Sequence, residues 1–543
     1  MNGYAAVART IFAHPVDTMF GLMGDANMRH VVHYIESGGR FIGAVSEGSA
    51  VSMAHGYTRT SGRPGVVSIT HGPAVTNAIT ALTEVARAGG NVVVLTAETA
   101  ADHLQAIDLR AAAEVAGANF HSIAEPATLV AELSAVLAAA TTGRRPTLVS
   151  IPMRVQNAEL PQAGDLVEHP IRGLAEQTAL HSPDDDMDAA LGILMTARRP
   201  VVLAGRGAAV DCAREDIVAI AELLAAPLGT TLQAKDFFDG HEFNLGIVGT
   251  LSHPTSIDAI VRADCVLTFG ASLNKRTTVD GSLLEGKALI SCDVASPTVD
   301  SNARTHVQLR GSAGALARSL AEGLQSADFR PNGTLRTDEL RSALSNHAST
   351  RGQFPRTAPG TIDMRAAADV IDKTLPADRV LVTDSGRFTR APWRHVRVED
   401  PKHFVYTTSF GSIGLGVATA LGAAVGCPGQ VALGVVGDGG GMMGITELST
   451  AVRHQIPLLI VVMNDGSYGS EFSKLTSYGL DPRHSLIAWP SFAELGTALG
   501  GRGRTACDEQ GLRTALLEYL EDPVPTVLDI KCDPGIDLYA GER

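Results

Sequence analysis

Short, continuous runs of Val, Ile and Leu recur along the chain and alternate with longer stretches of helical period. They fall at Val66–Thr70, Val92–Thr96, Thr147–Ile151, Val201–Ala204, Val266–Phe269, Ala288–Cys292, Val380–Thr383, Val431–Val436, Leu458–Met463 and Val527–Ile530. Strands that are apolar at nearly every position, rather than at every second one, are buried on both faces. That requires parallel sheets with helices covering each side, so the pattern predicts an α/β architecture of doubly wound sheets.

A chain of 543 residues exceeds what one hydrophobic core supports, and domains of roughly 150–200 residues make three the natural division. Two stretches read as linkers. Gln156–Pro183 is polar and contains proline, and Ser345–Thr361 has no hydrophobic period. The expected domains are therefore 1–170, 185–340 and 360–535, each with its own doubly wound parallel sheet. The first and last are candidates for distant copies of one architecture.

Composition narrows the function classes. With 45% apolar and 19% charged residues, the chain reads as a soluble globular protein. A net charge of −14 without a basic patch argues against nucleic acid as a partner. The apolar runs are too short to span a membrane, and the opening MNGYAAVARTIFAHPVD lacks the apolar core of a signal peptide. Six scattered cysteines without a C-x-x-C pair fit a reducing cytoplasm and neither a disulfide framework nor a zinc site.

The chemistry concentrates in the last third. The run Val431–Val436 ends in Gly437-Asp438-Gly439-Gly440-Gly441, followed by a helical pattern with Ile445, Leu448, Val452 and Ile456 on one face. Strand, glycine-rich turn and helix start form an anion site, because backbone N–H groups and the helix dipole face a phosphate. Asp438 adds a hard oxygen ligand suited to Mg²⁺. The next strand ends in Asn464-Asp465-Gly466-Ser467-Tyr468-Gly469. Neighbouring parallel strands bring their C-terminal ends together, so a paired metal–diphosphate site is the economical reading.

This arrangement resembles the thiamine-diphosphate fingerprint of the pyruvate decarboxylase and acetolactate synthase superfamily. The resemblance implies three doubly wound domains, named pyrimidine-binding, central and diphosphate-binding, with thiamine diphosphate and Mg²⁺ as cofactors. Relatives usually carry Asn-Asn at the second corner, with the second Asn on the metal. That role falls here on Asp465, 27 positions after Asp438, and not on Asn464. The implied metal ligands are Asp438, Asp465 and the Ser467 carbonyl, with Gly437, Gly439, Gly440 and Tyr468 beside the cofactor. A second carboxylate adds negative charge next to a diphosphate, and the phosphate loop is expected to offset the repulsion.

Phe41-Ile-Gly-Ala-Val-Ser-Glu47-Gly-Ser-Ala resembles the family segment whose Glu meets the pyrimidine ring. A carboxyl in an apolar surrounding can shuttle a proton there and favour the imino tautomer, which deprotonates the thiazolium C2. Thr408-Ser-Phe-Gly411-Ser-Ile413-Gly414 resembles the loop that bends the cofactor, with Ile413 as fulcrum and the Gly411 carbonyl on the 4′-amino group. The middle third resembles the central domain of the family; its Gly205-Arg206-Gly207 reads as a structural turn more than a dinucleotide motif.

Four residues are candidates to line a small carbonyl substrate. By the resemblance, Asp25 stands where pyruvate decarboxylases keep an Asp, and Glu471, six residues after Asp465, matches their proton-handling Glu. His71 follows a strand at a Gly-Pro turn, and His103 precedes Gln105. Each also has a plain reading, as a loop cap, a polar lining or a solvated helix residue. Arg387, Arg390 and Arg394 form a cationic cluster that would suit an anionic or CoA-bearing substrate, or an ion-paired helix face or subunit contact.

The expected function is cleavage or formation of a C–C bond in a 2-oxo acid through a C2 carbanion and an enamine, as decarboxylase or carboligase. The alternatives are a 2-hydroxyacyl-CoA or hydroxyketone lyase on the same cofactor, and a non-catalytic cofactor-binding regulator. The resemblance also implies a homodimer or homotetramer with active sites at the subunit interface. Substrate identity, the fate of the enamine and a nucleotide in the central domain stay open.

Overall fold

The structure is a computed structural model that describes residues 1–14, 16–141, 143–160, 184–294, 305–350, 354 and 357–538. Among the described residues its sheets are three, each parallel and six-stranded. The first contains β1 (Thr18–Gly21), β2 (Arg40–Gly43), β3 (Gly65–Ser68), β4 (Val92–Thr96), β5 (Asn119–Ser122) and β6 (Thr147–Ser150), in the order β2-β1-β3-β4-β6-β5. The second contains β7 (Pro200–Ala204), β8 (Leu228–Thr230), β9 (Asn244–Ile247), β10 (Cys265–Phe269), β11 (Ala288–Asp293) and β12 (Val307–Arg310), ordered β12-β11-β10-β7-β8-β9. The third contains β13 (Val380–Thr383), β14 (Phe404–Tyr406), β15 (Ala432–Gly437), β16 (Leu459–Asn464), β17 (Arg502–Ala506) and β18 (Thr526–Lys531), ordered β14-β13-β15-β16-β18-β17.

The first and third sheets thus repeat one strand order, and the middle sheet has another. In each, the order reverses between two central strands, and crevices for ligands open at such switch points beyond the strand C-termini. The switch falls between β1 and β3 in the first sheet and between β13 and β15 in the third.

The chain forms two compact units, one built on the first and third sheets and the other on the middle sheet. In the former, helices Glu47–Ser61 and Gly416–Gly426 cross in backbone contact. A Cβ on Gly56 would stand 2.0 Å from the Thr419 carbonyl oxygen, and one on Gly422 only 1.8 Å from that of Met53. Only glycine allows this approach. Both sheets consequently share one core, in which Phe20, Val67 and Val94 belong to the same cluster as Val382, Val436 and Val462. In the other unit the turns after β7 and β10 interlock: a Cβ on Gly205 would meet the Gly270 carbonyl oxygen at 2.3 Å. That contact accounts for the Gly205-Arg206-Gly207 sequence as a packing device. Among the described residues no helix is long and apolar enough to cross a membrane.

Three expectations need correction. Gln156 is not linker: it lies in the helix Met153–Asn157, is buried, faces His30 and donates to the Ile151 carbonyl. Leu160 is buried as well, and residues 161–183 of that stretch lie outside the described residues. Helix Asp338–Thr350 runs into the second expected linker, because Leu340 and Leu344 pack on the core of their unit. Finally, Gly439-Gly440-Gly441 is not a turn. A helix starts at Asp438 and contains all of them.

Candidate active site

The glycines of helix Asp438–Gly444 are there for space. None has positive φ. A Cβ on Gly439 would meet the Tyr468 ring at 2.6 Å, and one on Gly440 would lie 2.2 Å from Asp384 Oδ2. The helix start is therefore pressed between the ends of β13 and β16, which brings three acidic side chains into one buried region.

Asp438 and Asp465, both buried, converge on a single amide. The Ser467 N–H donates to Asp438 Oδ2 and to Asp465 Oδ1, each at 3.1 Å, and the Ser467 hydroxyl donates to Asp465 Oδ1 at 2.7 Å. Ser467 pairs with Leu486 in an isolated antiparallel bridge whose bonds run from Tyr468 N to the Ser485 carbonyl and from Ile487 N to the Gly466 carbonyl. In that pattern the N–H and C=O of Ser467 itself both point away from its bridge partner, on the side of the two carboxylates. Burial, and next the charge of Asp465, push the Asp438 carboxyl up to about 6. Two carboxylates and an inward carbonyl in a desolvated corner form an all-oxygen donor set, which fits a hard divalent ion. Among the described residues no group of three His, Cys, Asp or Glu forms a metal cluster of side chains alone.

Asn464 takes no part in this corner. Its Nδ2 donates to Asp529 Oδ1 at 2.9 Å, and its Oδ1 accepts from Gly466 N. Arg387 is buried and donates to Asp465 Oδ2 at 2.6 Å. Of the readings open for the arginine cluster, Arg387 is ion-paired but not on an outward helix face: a helix turn after β13 folds the side chain inward, where Asp465 receives it.

The loop 408–414 is held at both ends by carboxylates. Asp384 is buried and accepts from Gly414 N at 2.7 Å and from the Thr407 hydroxyl at 3.1 Å. Its carboxyl is pushed up to about 6 by burial, against those bonds. At the other end Glu84, from helix Pro73–Ala88, accepts from Ser409 N at 2.9 Å and Phe410 N at 2.5 Å. Arg87, one turn further on, stacks over the Phe410 ring. Between these anchors Gly411 adopts φ +86° in open space, and Ile413 is half-buried rather than part of the core.

Glu47 opens its helix behind the N-cap Ser46, is buried, and accepts from Asn77 Nδ2 at 3.2 Å. The backbone just before it is clasped from the third sheet: Glu447 Oε1 accepts from Val45 N at 2.9 Å and Ser46 N at 3.2 Å. Each half of the unit thus sends a buried Glu to hold a segment of the other, Glu84 before Gly411 and Glu447 before Glu47. Sequence reasoning missed both clasps and the place of Asp384. A solitary acid on a helix carries no local signal for a partner more than three hundred residues away.

The substrate candidates divide. His71 is buried, and among the described residues its Nδ1 has no hydrogen-bond partner. Its ring lies 5.6 Å from that of exposed His103. The two segments are packed, since a Cβ on Gly72 would meet the Gln105 carbonyl oxygen at 2.3 Å. Exposed Asp25 belongs to a loop that also abuts this place, with Gly24 against Thr70 and Ala26 N donating to the Thr70 hydroxyl. Asp25, His71 and His103 therefore gather beyond the C-termini of β1, β3 and β4. Glu471 stands apart, exposed on helix Gly469–Ser477 and 3.9 Å from Lys474 Nζ.

This fold and this pair of crevices define a class, and sequence comparison identifies it. Residues 1–120 match the thiamine pyrophosphate enzyme N-terminal TPP-binding domain, residues 187–320 its central domain and residues 384–530 its C-terminal TPP-binding domain. The chain belongs to the thiamine pyrophosphate enzyme family. It is 26% identical to an acetolactate synthase large subunit of Parasynechococcus marenigrum, over 99% of this chain and 89% of that one. It is likewise 26% identical to a sulfoacetaldehyde acetyltransferase of Alcaligenes xylosoxydans, over 98% and 93%. The large subunit of acetolactate synthase isozyme 2 of Escherichia coli is 27% identical, over 98% and 96%.

Proposed function

We propose that this protein is a thiamine-diphosphate- and Mg²⁺-dependent enzyme that cleaves a 2-oxo acid next to its carbonyl and hands the retained fragment to a proton or to a second carbonyl. The observation that carries this reading is the meeting of Asp438 and Asp465 on the Ser467 amide at adjacent strand ends. Relatives named for acetolactate synthesis and for sulfoacetaldehyde acetyl transfer support transfer to a second acceptor. When bound, thiamine diphosphate supplies an electron sink for the pair released by the broken C–C bond.

The residues of this chain divide the remaining work. Asp438, Asp465 and the Ser467 carbonyl hold Mg²⁺, and Gly437, Gly439 and Gly440 at the helix start lie beside the diphosphate. Glu47 moves a proton at the pyrimidine ring, with Asn77 orienting its carboxylate. Ile413 supports the bent cofactor and Gly411 offers its carbonyl, in a loop fixed by Glu84 and Asp384. Tyr468, packed on Gly439, shields the diphosphate end. His71 and His103, with Asp25, orient the substrate and carry its protons, and Glu471 is the further residue assigned to proton transfer. Active sites then lie at the interface of a homodimer or homotetramer in the cytoplasm.

The test is a screen of 2-oxo acids and acyl-CoAs with mass detection of the covalent adduct, run beside the Glu47→Gln variant. Adduct formation with a 2-oxo acid, lost in Glu47→Gln while cofactor binding persists, is the expected outcome. Normal turnover by Glu47→Gln with cofactor bound would overturn the mechanism.

A further inference from the structure

The added charge of the second carboxylate is met from inside the protein. Arg387 and Asp465 are 4% and 5% exposed, and Arg387 Nη2 donates to Asp465 Oδ2 at 2.6 Å. From the other side Nη1 donates to the carbonyls of Pro534 at 3.1 Å and Ile536 at 3.4 Å. Nε has no hydrogen-bond partner among the described residues. Gly469 makes room for the pair: a Cβ there would come within 2.8 Å of Arg387 Nε and 3.1 Å of Asp465 Oδ2. The other oxygen of Asp465 is held by Ser467. Guanidinium and carboxylate are thereby locked in one geometry at the edge of the candidate metal corner.

Burying such a pair costs several kcal/mol per ion, which good geometry only offsets, so stability is a poor reason for it. Charge is a better one. Asp438 and Asp465 together carry two negative charges, enough to attract a divalent cation but also to repel a diphosphate a few ångströms away. Arg387 cancels one of them without occupying Asp465 Oδ1 or Asp438. We infer that Arg387 is a positioning residue that fixes Asp465 and sets the charge of the corner, so that it takes Mg²⁺ with the diphosphate in preference to Mg²⁺ alone. This rests on the cofactor reading proposed above.

The inference is tested by calorimetric titration of the whole protein with Mg²⁺ alone and with thiamine diphosphate at saturating Mg²⁺. Arg387→Gln bares the second carboxylate: affinity for Mg²⁺ alone should rise, and affinity for thiamine diphosphate should fall about tenfold or more. Asp465→Asn alters the balance the other way, so the ratio of the two affinities should move in the opposite direction. The double variant R387Q/D465N, neutral for neutral, should return the ratio to within about threefold of the wild type. Arg387→Lys, which keeps the charge, should retain diphosphate binding. If Arg387→Gln does not fold, Asp465→Asn and the double variant still decide, because only the charge argument separates them. A ratio unmoved in Asp465→Asn, or a double variant no different from it, overturns the inference while the wild type binds the cofactor normally. A wild type that binds neither ligand overturns the cofactor reading itself.

Discussion

The side chain of Asn464 is turned away from the metal corner and onto Asp529, donating from Nδ2 to Oδ1 at 2.9 Å with both groups buried. Asp529 also accepts from Lys531 Nζ and Phe492 N, so it is a fully used structural hub. Asp465, the next residue, faces Asp438. Two adjacent polar residues thus have separate tasks, which single substitutions can distinguish. Asn464→Ala should lower stability by about 1–3 kcal/mol, since it leaves a buried carboxylate oxygen short of a donor, and should leave Mg²⁺ affinity within about threefold. Asp465→Ala should instead lower Mg²⁺ affinity sharply, and because it leaves buried Arg387 without its carboxylate it should cost stability as well. Urea unfolding and Mg²⁺ titration read the two effects, and a metal-bound structure with Asn464 on Mg²⁺ would sink the assignment.

Glu84 should matter for the cofactor although it lies on the first sheet's side of the unit. Gln at this position keeps one acceptor oxygen and loses the charge, so one of the amides of Ser409 and Phe410 loses its bond. Their hydrogen exchange should quicken about tenfold, and thiamine diphosphate affinity should fall by a similar factor. Unchanged amide protection in Glu84→Gln would show that the loop is held by other means.

His30 gives the fold a defined acid sensitivity. Its Nδ1 faces Gln156 Oε1 at 3.2 Å and its Nε2 faces Ser68 Oγ at 2.9 Å, with Asn27 Nδ2 also donating to Ser68. Gln156 already donates its amide to Ile151, so its Oε1 accepts from Nδ1–H of the ring. Burial lowers its pKa from 6.5 to about 4. Below 6.5 the unfolded chain binds a proton that the folded one refuses. Stability is then complete above pH 6.5 and is lost as pH falls to 4, by at most about 3 kcal/mol. Urea unfolding between these limits should show a shallower loss in His30→Gln, and equal slopes would remove His30 from the account.

Gly422→Ala tests the crossing of the two central helices. Its methyl group would lie 1.8 Å from the Met53 carbonyl oxygen, so the helices must separate. A loss of about 2–3 kcal/mol or more is expected, read by calorimetry. Alanine favours a helix by nearly 1 kcal/mol over glycine, so a gain in stability would mean that the close contact does not exist.

The strands that the sequence announces are interior ones, although the short, equally buried β1 and β8 carry no such run. The Val-rich runs include the central strands β3, β4, β7, β10, β13, β15 and β16. The edge strands β2, β5, β9, β12, β14 and β17 carry no such run; β17, for example, reads Arg-Gly-Arg-Thr-Ala and is half in solvent. An edge strand needs only one apolar face and one neighbour, so its sequence is hard to tell from a loop.

What the sequence determined by itself is local: which runs become buried parallel strands, and that Asp438 and Asp465 stand at the ends of two of them. These follow from hydrophobic periodicity and from position within a segment, and no distant contact is needed to read them. Only the tertiary structure decided what surrounds those ends. It turned the glycine run from a turn into a packed helix, folded Arg387 inward onto Asp465, and sent Glu84 and Glu447 across the shared core. Each of these depends on two chain segments meeting in three dimensions, and the energy that fixes them, desolvation matched by a specific partner, belongs to neither segment alone.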